Sequence, residues 1–371
     1  MSPCPSSYLA EFAEDEGYLD FARVGPVPRA VVAAATGALT AQSAAGRTTV
    51  DELMGAEDRA LQAAARLTGF PRSALVWSPS TSAGLFQAAF AVSGRVLVGA
   101  GEFPSNLYPW WRAAAAGRLD VGLLPGGPVT PDAVRAALRE RDADAVAVSA
   151  VDFATGYRAD LAGLREVVGD RLLVVDAIQG LGVVDQDWTA ADVLVAGGQK
   201  WLRSGWSTGV LAVADRALDR LHPLLAGWTG VAEPTRYDGI EHPLAAGADR
   251  FVTTNGSPVA QAALAAGLEL LESVGVGWVA ARVAERAGEL LELLDRSGVE
   301  VASERDPAHR AGIVAARVPG VDGAVLHAAL GDAGVACTRH GDRVRLSVHA
   351  TTTPAAFARV GEALSRVTGR R

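Results

Sequence analysis

The stretch LLVVDAIQG, residues 172–180, joins four consecutive apolar side chains to an acid and an amide. An uninterrupted apolar run that contains valines is typical of a strand buried on both faces, as in a parallel sheet. Asp176 and Gln179 follow the apolar part, so both belong at the carboxyl end of the strand. Ligands of open α/β sheets bind outside the carboxyl ends of the strands, and the stretch therefore predicts a ligand crevice at Asp176.

Similar runs recur along the chain and alternate with Ala/Leu-rich helical patterns. The predicted strands cover Ala74 to Trp77, Arg95 to Gly99, Asp120 to Leu124, Ala145 to Ala150, Leu172 to Asp176, Val193 to Ala196 and Val210 to Val213. This alternation predicts an α/β fold with a mainly parallel seven-stranded sheet and helices on both faces. We expect an N-terminal segment (1–20), a large domain (21–250), and a linker helix with a smaller α+β domain (251–371).

Two helices carry clear boundary signals. Thr130 precedes Pro131, which predicts an N-cap followed by proline in the first turn of a helix that runs toward Arg141. A longer helical pattern extends from Pro258 to Leu294 and is interrupted near Gly275. The first helix belongs to the large domain and the second leads into the smaller one.

Composition narrows the possible functions. The 371 residues include 34 basic and 42 acidic side chains, for a net charge of −8, so nucleic acid and anionic membranes are not expected partners. No apolar stretch approaches the roughly 18 residues of a membrane helix. Only Cys4 and Cys337 are present, and the N-terminus is acidic where a secretory signal is basic and apolar, which predicts a cytoplasmic protein. The histidines lack metal-ligand spacing, so no metal is predicted.

Lys200 is the only lysine in the chain, and every other basic side chain is arginine. A guanidinium stays protonated and forms no imine, whereas an amine with a lowered pKa reacts with an aldehyde. Lys200 follows the predicted strand Val193 to Ala196, so it belongs at the same edge of the sheet as Asp176. A carboxylate and an amine at one crevice suit a pyridine aldehyde cofactor, because the acid keeps the ring nitrogen protonated and the amine holds the aldehyde.

These residues also carry a family resemblance. Val175 to Gly180, Ala191-Asp192 and Gln199 to Leu202 resemble the class V aminotransferases, pyridoxal 5'-phosphate enzymes of fold type I. The resemblance extends over most of the chain, through Tyr18 to Ala22, Gly25 to Pro28, Ser80 to Gly84, Glu102 to Trp110, Ser149 to Val151, Thr155-Gly156 and Arg345 to His349. It implies a homodimer with shared active sites, an amino-acid substrate, and chemistry through an external aldimine and a carbanion at Cα.

The resemblance assigns a role to each matching position. It makes Lys200 the catalytic residue that holds the cofactor as a Schiff base and later removes the α-proton, and Arg345 the clamp for the substrate α-carboxylate. The other residues implied at the cofactor are Ser80, Thr81, Ser82, Phe103, Asp176, Gln179 and Gln199, with Asn255 and Ser257 reaching it from the neighbouring subunit. Asn106 and Gly25 are the further implied substrate contacts.

Two departures from the family pattern lie beside the lysine. Gln199 stands where histidine is common, and Gly197 stands where a hydroxyl residue is usual. The cofactor phosphate then needs other partners, for which Arg203 and Ser204 are candidates. Both residues lie within four positions of Lys200.

A Cα carbanion can lead to several different products, so the family resemblance does not fix the reaction. Similarity around Lys200 to ergothioneine-pathway C–S lyases favours β-elimination from an S-substituted cysteine or its sulfoxide. The alternatives are transamination, epimerisation or a kynureninase-like reaction, and a catalytically silent protein that binds pyridoxal phosphate. A desulfurase would need Cys337 as a mobile nucleophile, but the apolar run Gly334 to Thr338 predicts a buried, structural cysteine.

Overall fold

The computed structural model describes residues 5–369, which fold into two sheets covered by helices. The helices are α1 (Pro5–Ala10), α2 (Arg29–Ser43), α3 (Thr49–Thr68), α4 (Thr81–Ala91), α5 (Tyr108–Ala115), α6 (Pro131–Glu140), α7 (Leu161–Val168), α8 (Pro258–Val274), α9 (Val276–Arg296), α10 (Gly323–Asp332) and α11 (Pro354–Thr368). The strands are β1 (Leu75–Trp77), β2 (Gly94–Gly99), β3 (Leu119–Leu124), β4 (Ala145–Ser149), β5 (Leu172–Asp176), β6 (Val193–Gly197), β7 (Gly209–Val213), β8 (Glu300–Val301), β9 (Ile313–Arg317), β10 (Thr338–His340) and β11 (Arg343–Ser347).

The larger sheet has the strand order β1-β7-β6-β5-β4-β2-β3. Strands β2 to β6 pair in parallel, while β7 is antiparallel to both β6 and β1. The predicted α/β fold with a mainly parallel seven-stranded sheet is confirmed. Every predicted strand is present, with boundaries that differ by at most one residue from those observed.

Both faces of this sheet are buried, which explains why its strands are apolar without alternation. In β5, Leu173 and Val175 pack into one hydrophobic cluster, and Leu172 and Val174 pack into the cluster on the opposite face. Asp176 ends the strand and pairs in register with Ser149 of β4 and Val195 of β6. The polar ends of three neighbouring strands therefore meet at one edge of the sheet.

The smaller sheet is antiparallel in the order β10-β11-β9-β8 and carries Arg345 on β11. The N-terminal segment reaches it through isolated bridges, which pair Tyr18 with Ala336 and Asp20 with Ser347. This segment then passes beside the Lys200 loop. Arg345 and Lys200 thus approach each other from two sheets.

The boundary signals of the helices are confirmed. The Thr130 side chain accepts a hydrogen bond from the Ala133 amide at the start of α6. The long C-terminal pattern divides at Gly275 into α8 and α9, which meet at 80°. Within residues 5–369, no single helix is long and apolar enough to cross a membrane, although this bent pair meets that criterion when taken together.

Candidate active site

A cavity of about 460 Å³ lies at the carboxyl ends of β4, β5 and β6. The residues predicted from the sequence that line it are Ser80, Thr81, Ser82, Phe103, Asp176, Gln179, Gln199, Lys200 and Arg345. These residues come from both sheets and from the loops that follow four strands. The structure therefore brings the proposed lysine, acid, aromatic ring and arginine into one site.

Lys200 and Asp176 face this cavity from the buried interior. Burial lowers the pKa of Lys200 to about 8, although the nearby Asp176 charge partly opposes this shift. Burial also raises the pKa of Asp176 to about 6, against the hydrogen bond that its Oδ1 accepts from the Ile178 amide at 3.0 Å. Desolvation thus brings both groups toward neutrality, and a bound cation beside Asp176 would restore its charge.

An aromatic ring forms the wall opposite the amine. The Lys200 Nζ atom lies 5.4 Å from the centroid of the Phe103 ring. Phe103 follows β2 and remains 39% exposed, so one of its faces is available to a flat ligand. Glu102 anchors this loop, because its carboxylate accepts hydrogen bonds from the Ser149 amide at 2.8 Å and from the Ser149 hydroxyl.

Gln179 is held in a fixed orientation by two contacts. Its Nε2 donates to the Ala22 carbonyl at 3.0 Å, and its Oε1 accepts from the Trp201 indole at 2.6 Å. A primary amide carries two N–H donors, so one remains for a ligand. This geometry agrees with the implied place of Gln179 at the cofactor.

Hydroxyl groups gather at the N-terminus of α4. The Ser80 side chain accepts from the Ala83 amide at 3.1 Å and caps the helix, while the Ser82 hydroxyl donates to Ser105 at 2.9 Å. The Gly197 amide donates to Thr81 Oγ1 at 2.9 Å. Ser80 and Thr81 therefore keep their O–H donors beside a helix N-terminus, which suits a phosphate group.

Limited space beside the backbone favours glycine at position 197. A Cβ there would lie 2.5 Å from Gln199 Oε1 and 2.9 Å from Thr81 Oγ1.

The predicted compensating contacts of Arg203 and Ser204 to a phosphate are wrong. The Arg203 guanidinium binds Glu14, and the Ser204 hydroxyl donates to the Leu202 carbonyl, so neither lines the cavity.

Arg345 closes the cavity from the smaller sheet. Its Nη1 donates to the Phe153 carbonyl at 2.9 Å, and its Nη2 lies 3.7 Å from Asp20 Oδ1. Its buried Nε has no hydrogen-bond partner within the described chain. Burial lowers the pKa of Arg345, while Asp20 opposes that shift. Nε and Nη2 are therefore placed to take a carboxylate in a bidentate pair.

Four predicted site residues lie away from this cavity. Asn106 is fully buried and accepts from the Trp110 indole at 3.2 Å, so its predicted substrate contact is corrected to a structural one. Gly25 packs its backbone against the Lys200 carbonyl and does not line the cavity. Ser257 caps α8, and Asn255 precedes it. Neither of these two lines the cavity of its own chain, and a role in a neighbouring subunit stays a prediction.

The sequence did not point to several residues of the cavity wall. Phe153 comes from a loop after β4, and Thr338 and His340 come from β10. The rings of Phe103 and Phe153 are 5.1 Å apart, and those of Phe153 and His340 are 5.8 Å apart. No local spacing signals such a wall, although the strand pairing of β10 with β11 places Thr338 opposite Arg345.

Two further observations concern metals and thiols. Within residues 5–369, no three His, Cys, Asp or Glu side chains gather closely enough to hold a metal ion. Cys337 is buried, as predicted, and burial raises the pKa of its thiol to about 12. Cys4 lies outside the described residues.

The fold and the cavity together define a fold type I pyridoxal-phosphate enzyme. The aminotransferase class-V family model matches residues 17–365, and the chain belongs to that family. Pyridoxal 5'-phosphate is the cofactor of the family. The residues of this site fit pyridoxal phosphate. One cavity is surrounded by a desolvated amine, a buried acid, an exposed aromatic face and hydroxyls at a helix N-terminus.

Individual relatives differ in their reactions. A kynureninase of Deinococcus radiodurans is 31% identical over 60% of this chain and 56% of its own length, so the match spans little more than half of that relative. A cysteine desulfurase of Thermococcus onnurineus superposes with a TM-score of 0.84 at 21% identity, covering 95% of this chain and 94% of its own. The cystine C–S lyase C-DES, with its product cysteine persulfide, gives 0.84 at 18% identity, covering 95% and 97%. At these identities the structural matches show the fold alone.

Proposed function

We propose that this protein is a pyridoxal-phosphate-dependent β-lyase that cleaves the C–S bond of an S-substituted cysteine or its sulfoxide. For the thioether, substrate and one water give the thiol R–SH, pyruvate and ammonium. The Cβ–S bond breaks with its electron pair on sulfur, and water replaces the amino nitrogen on Cα. No external oxidant or reductant takes part.

The observation that carries the proposal is the placement of Lys200 and Arg345 at one cavity. Pyridoxal phosphate, when bound, supplies an aldehyde that captures the substrate amino group and a ring that accepts electron density from Cα. Arg345 holds the α-carboxylate through its guanidinium group, whose Nε has no hydrogen-bond partner within the described chain and whose Nη2 lies 3.7 Å from Asp20 Oδ1. Lys200, whose burial lowers its pKa to about 8, then removes the Cα proton, and the lowered pKa increases the fraction of neutral amine near neutral pH.

The position of Cys337 favours elimination over sulfur transfer. A desulfurase passes sulfur to a thiol at the site, and Cys337 neither lines the cavity nor ionises readily. Elimination needs no thiol, because the sulfur leaves with the rest of the substrate. The fold shared with a cystine C–S lyase is compatible with this reaction.

A second candidate is a kynureninase-like reaction, in which a bond between Cβ and Cγ is cleaved. The rings of Phe103, Phe153 and His340 form an aromatic wall at the substrate end of the cavity, which suits a substrate with an aromatic side chain. Within the described chain, no group hydrogen-bonds to the His340 ring, so its nitrogens are available to a ligand. The kynureninase similarity favours the same candidate.

We also propose that the active form is a homodimer. Large apolar side chains lie exposed in the segment after β7 and line one cavity there, namely Leu224, Trp228, Tyr237, Ile240 and Leu244. Exposed apolar patches are typical of protein interfaces. In such a dimer, Asn255 and Ser257 would complete the phosphate site of the partner. Light scattering on the purified protein tests this, and a monomer at the assay concentration would overturn it.

The test uses protein loaded with pyridoxal phosphate, without any keto acid. S-alkylcysteines, cysteine sulfoxides, kynurenine and a general amino-acid panel are added separately, while pyruvate, ammonia and anthranilate are measured. Sustained pyruvate and ammonia from sulfur substrates support the lyase. Anthranilate and alanine from kynurenine support the second candidate instead. A single conversion of the cofactor to its pyridoxamine form, with a matching keto acid, would replace both with transamination.

A further inference from the structure

Arg203 follows Lys200 by one turn, and its side chain is directed away from the cavity. Its Nη2 donates to Glu14 Oε2 at 2.6 Å, and its Nε donates to the Pro26 carbonyl at 2.6 Å. Its central guanidinium carbon lies 3.7 Å from the centroid of the Phe12 ring. These partners all lie in residues 12–26, which are called the N-terminal segment from here on, and this segment encloses a buried cation from the lysine loop.

The backbone of Arg203 is strained. Its φ angle is +51°, in the left-handed region that a bulky side chain rarely adopts. The Arg203 amide donates to the Lys200 carbonyl at 3.1 Å, so this strained residue closes the turn that carries the lysine. Such a conformation persists only where the surroundings hold it. The side-chain contacts of Arg203 provide that hold.

The N-terminal segment also contacts the lysine backbone directly. The Gly25 amide donates to the Gln199 carbonyl at 2.8 Å. A Cβ at Gly25 would lie only 1.9 Å from the Lys200 carbonyl oxygen, so only glycine permits this approach. The segment therefore contacts the turn in two places. One is the pair of backbone carbonyls of residues 199 and 200, and the other is the Arg203 guanidinium.

The third participant is the chain that follows β11. Thr351 Oγ1 donates to Glu14 Oε1 at 2.5 Å and lies 3.3 Å from Arg203 Nη1. The titratable neighbours Tyr8, Tyr18 and His349 are uncharged near neutral pH, because burial raises the pKa of both tyrosines to about 12 and lowers that of His349 well below its ordinary value. Arg203 and Glu14 are thus a buried ion pair among neutral groups, with side chains 3% and 10% exposed.

We propose that Arg203 is a positioning residue, and that its ion pair with Glu14 clamps the turn 200–203 against the N-terminal segment and so fixes the direction of the Lys200 side chain. The proposal rests on the proposed function only in that Lys200 binds the cofactor and moves the substrate proton. It does not depend on which amino acid is the substrate. Arg203 neither lines the cavity nor contacts Arg345, so any effect on the reaction passes through the residues that it holds in place.

The test compares Arg203→Met with Arg286→Met in protein loaded with pyridoxal phosphate. Arg286 on α9 is also buried and pairs with Glu285 and Glu289 at 3.0 and 2.8 Å, but it lies outside the site. The measurements are the pH titration of the visible cofactor band, cofactor dissociation, thermal unfolding, and kcat and KM. Arg203→Met should lose thermal stability because it leaves the buried Glu14 unpaired, whereas Arg286→Met should lose less because Glu285 and Glu289 are 50% and 39% exposed and Glu285 keeps Arg282.

Only Arg203→Met should change the lysine. We expect the pKa of its cofactor band to shift by about half a unit or more, since the environment of the amine changes. We expect kcat to fall by about 10- to 100-fold, as for a catalytic group displaced by a fraction of an ångström to one ångström. KM should change less than about threefold, because Arg345 still binds the carboxylate.

A band pKa and kcat equal to wild type in Arg203→Met, as in Arg286→Met, would show a merely structural role and overturn the proposal whatever the loss of thermal stability. Arg203→Lys keeps the charge without the planar fork and should give intermediate values. If the methionine variant is insoluble, Arg203→Lys and Glu14→Gln decide by the same titration: a shifted band supports the clamp, and an unshifted one overturns it. Absence of lyase products from any sulfur substrate would refute the proposed function and leave the band titration valid.

Discussion

Replacing Arg345 by methionine should weaken substrate binding far more than it slows the reaction. Arg345 is 5% exposed, and a carboxylate bound there would form a desolvated, bidentate pair. Truncating one partner of such a buried pair costs about 2–5 kcal/mol. At 1.36 kcal/mol per factor of ten, the lower end of this range raises KM by about 30-fold. The carboxylate is bound equally before and during proton removal, so kcat should change little.

The assay measures initial rates over a range of substrate concentrations at neutral pH. Arg343→Met is the matched control, because Arg343 is exposed on the same strand and does not line the cavity. Arg345→Met leaves Asp20 nearby, where it would repel a carboxylate, and the double variant Arg345→Met/Asp20→Asn should recover part of the lost affinity. An unchanged KM in Arg345→Met would refute the assignment of Arg345 as the carboxylate anchor.

Three further predictions concern Lys200, Cys337 and Glu102. Lys200→Ala should abolish both the Schiff base between protein and cofactor and turnover, and turnover near the wild-type rate would exclude Lys200 from the mechanism. Cys337→Ala should leave kcat within about twofold of wild type, since the thiol is buried and un-ionised; a tenfold loss in a stably folded variant would restore the sulfur-transfer alternative. Glu102 has a folded pKa of about 7 against an ordinary 4.5, so its stabilising contribution is complete below pH 4.5 and is lost as the pH rises through 7. In cofactor-free protein, Glu102→Gln should therefore gain about 1–3 kcal/mol relative to wild type between about pH 5 and 8, measured by urea unfolding, and a constant difference across that range would contradict the shift.

The parallel strands were predictable because burial on both faces leaves a clear signal. Leu172–Asp176 has the same bounds in the sequence prediction and in the structure. The direction of β7 has a physical cause of its own: residues 198–208 form no helix, and a parallel connection requires a crossover of a dozen or more residues, usually helical. The chain therefore returns antiparallel.

Some residues of the site were likewise predictable from the local sequence, and others were not. Asp176 and Lys200 were identifiable because each follows a strand and carries chemistry that its neighbours lack. Phe153 and His340 were not, since their contact depends on how the smaller sheet docks, and no sequence spacing encodes that. The prediction for Asn106 was wrong because a sequence motif does not distinguish a buried asparagine from one that binds a ligand. Its hydrogen bond to Trp110 becomes visible only with the fold.

Desolvation lowers the pKa of Lys200 but also favours its pairing with a nearby acid, and the N-terminal segment opposes that pairing. An amine buried beside Asp176 could reduce its own penalty by turning to pair with that acid, yet within the described residues no ion pair joins them. The turn that carries Lys200 is held by Gly25 at its carbonyl and by Arg203 through Glu14, so the main chain cannot follow such a movement. The segment also places Asp20 beside Arg345. One short stretch of chain thus orients both charged groups that the proposed reaction requires, which makes its integrity a condition for activity.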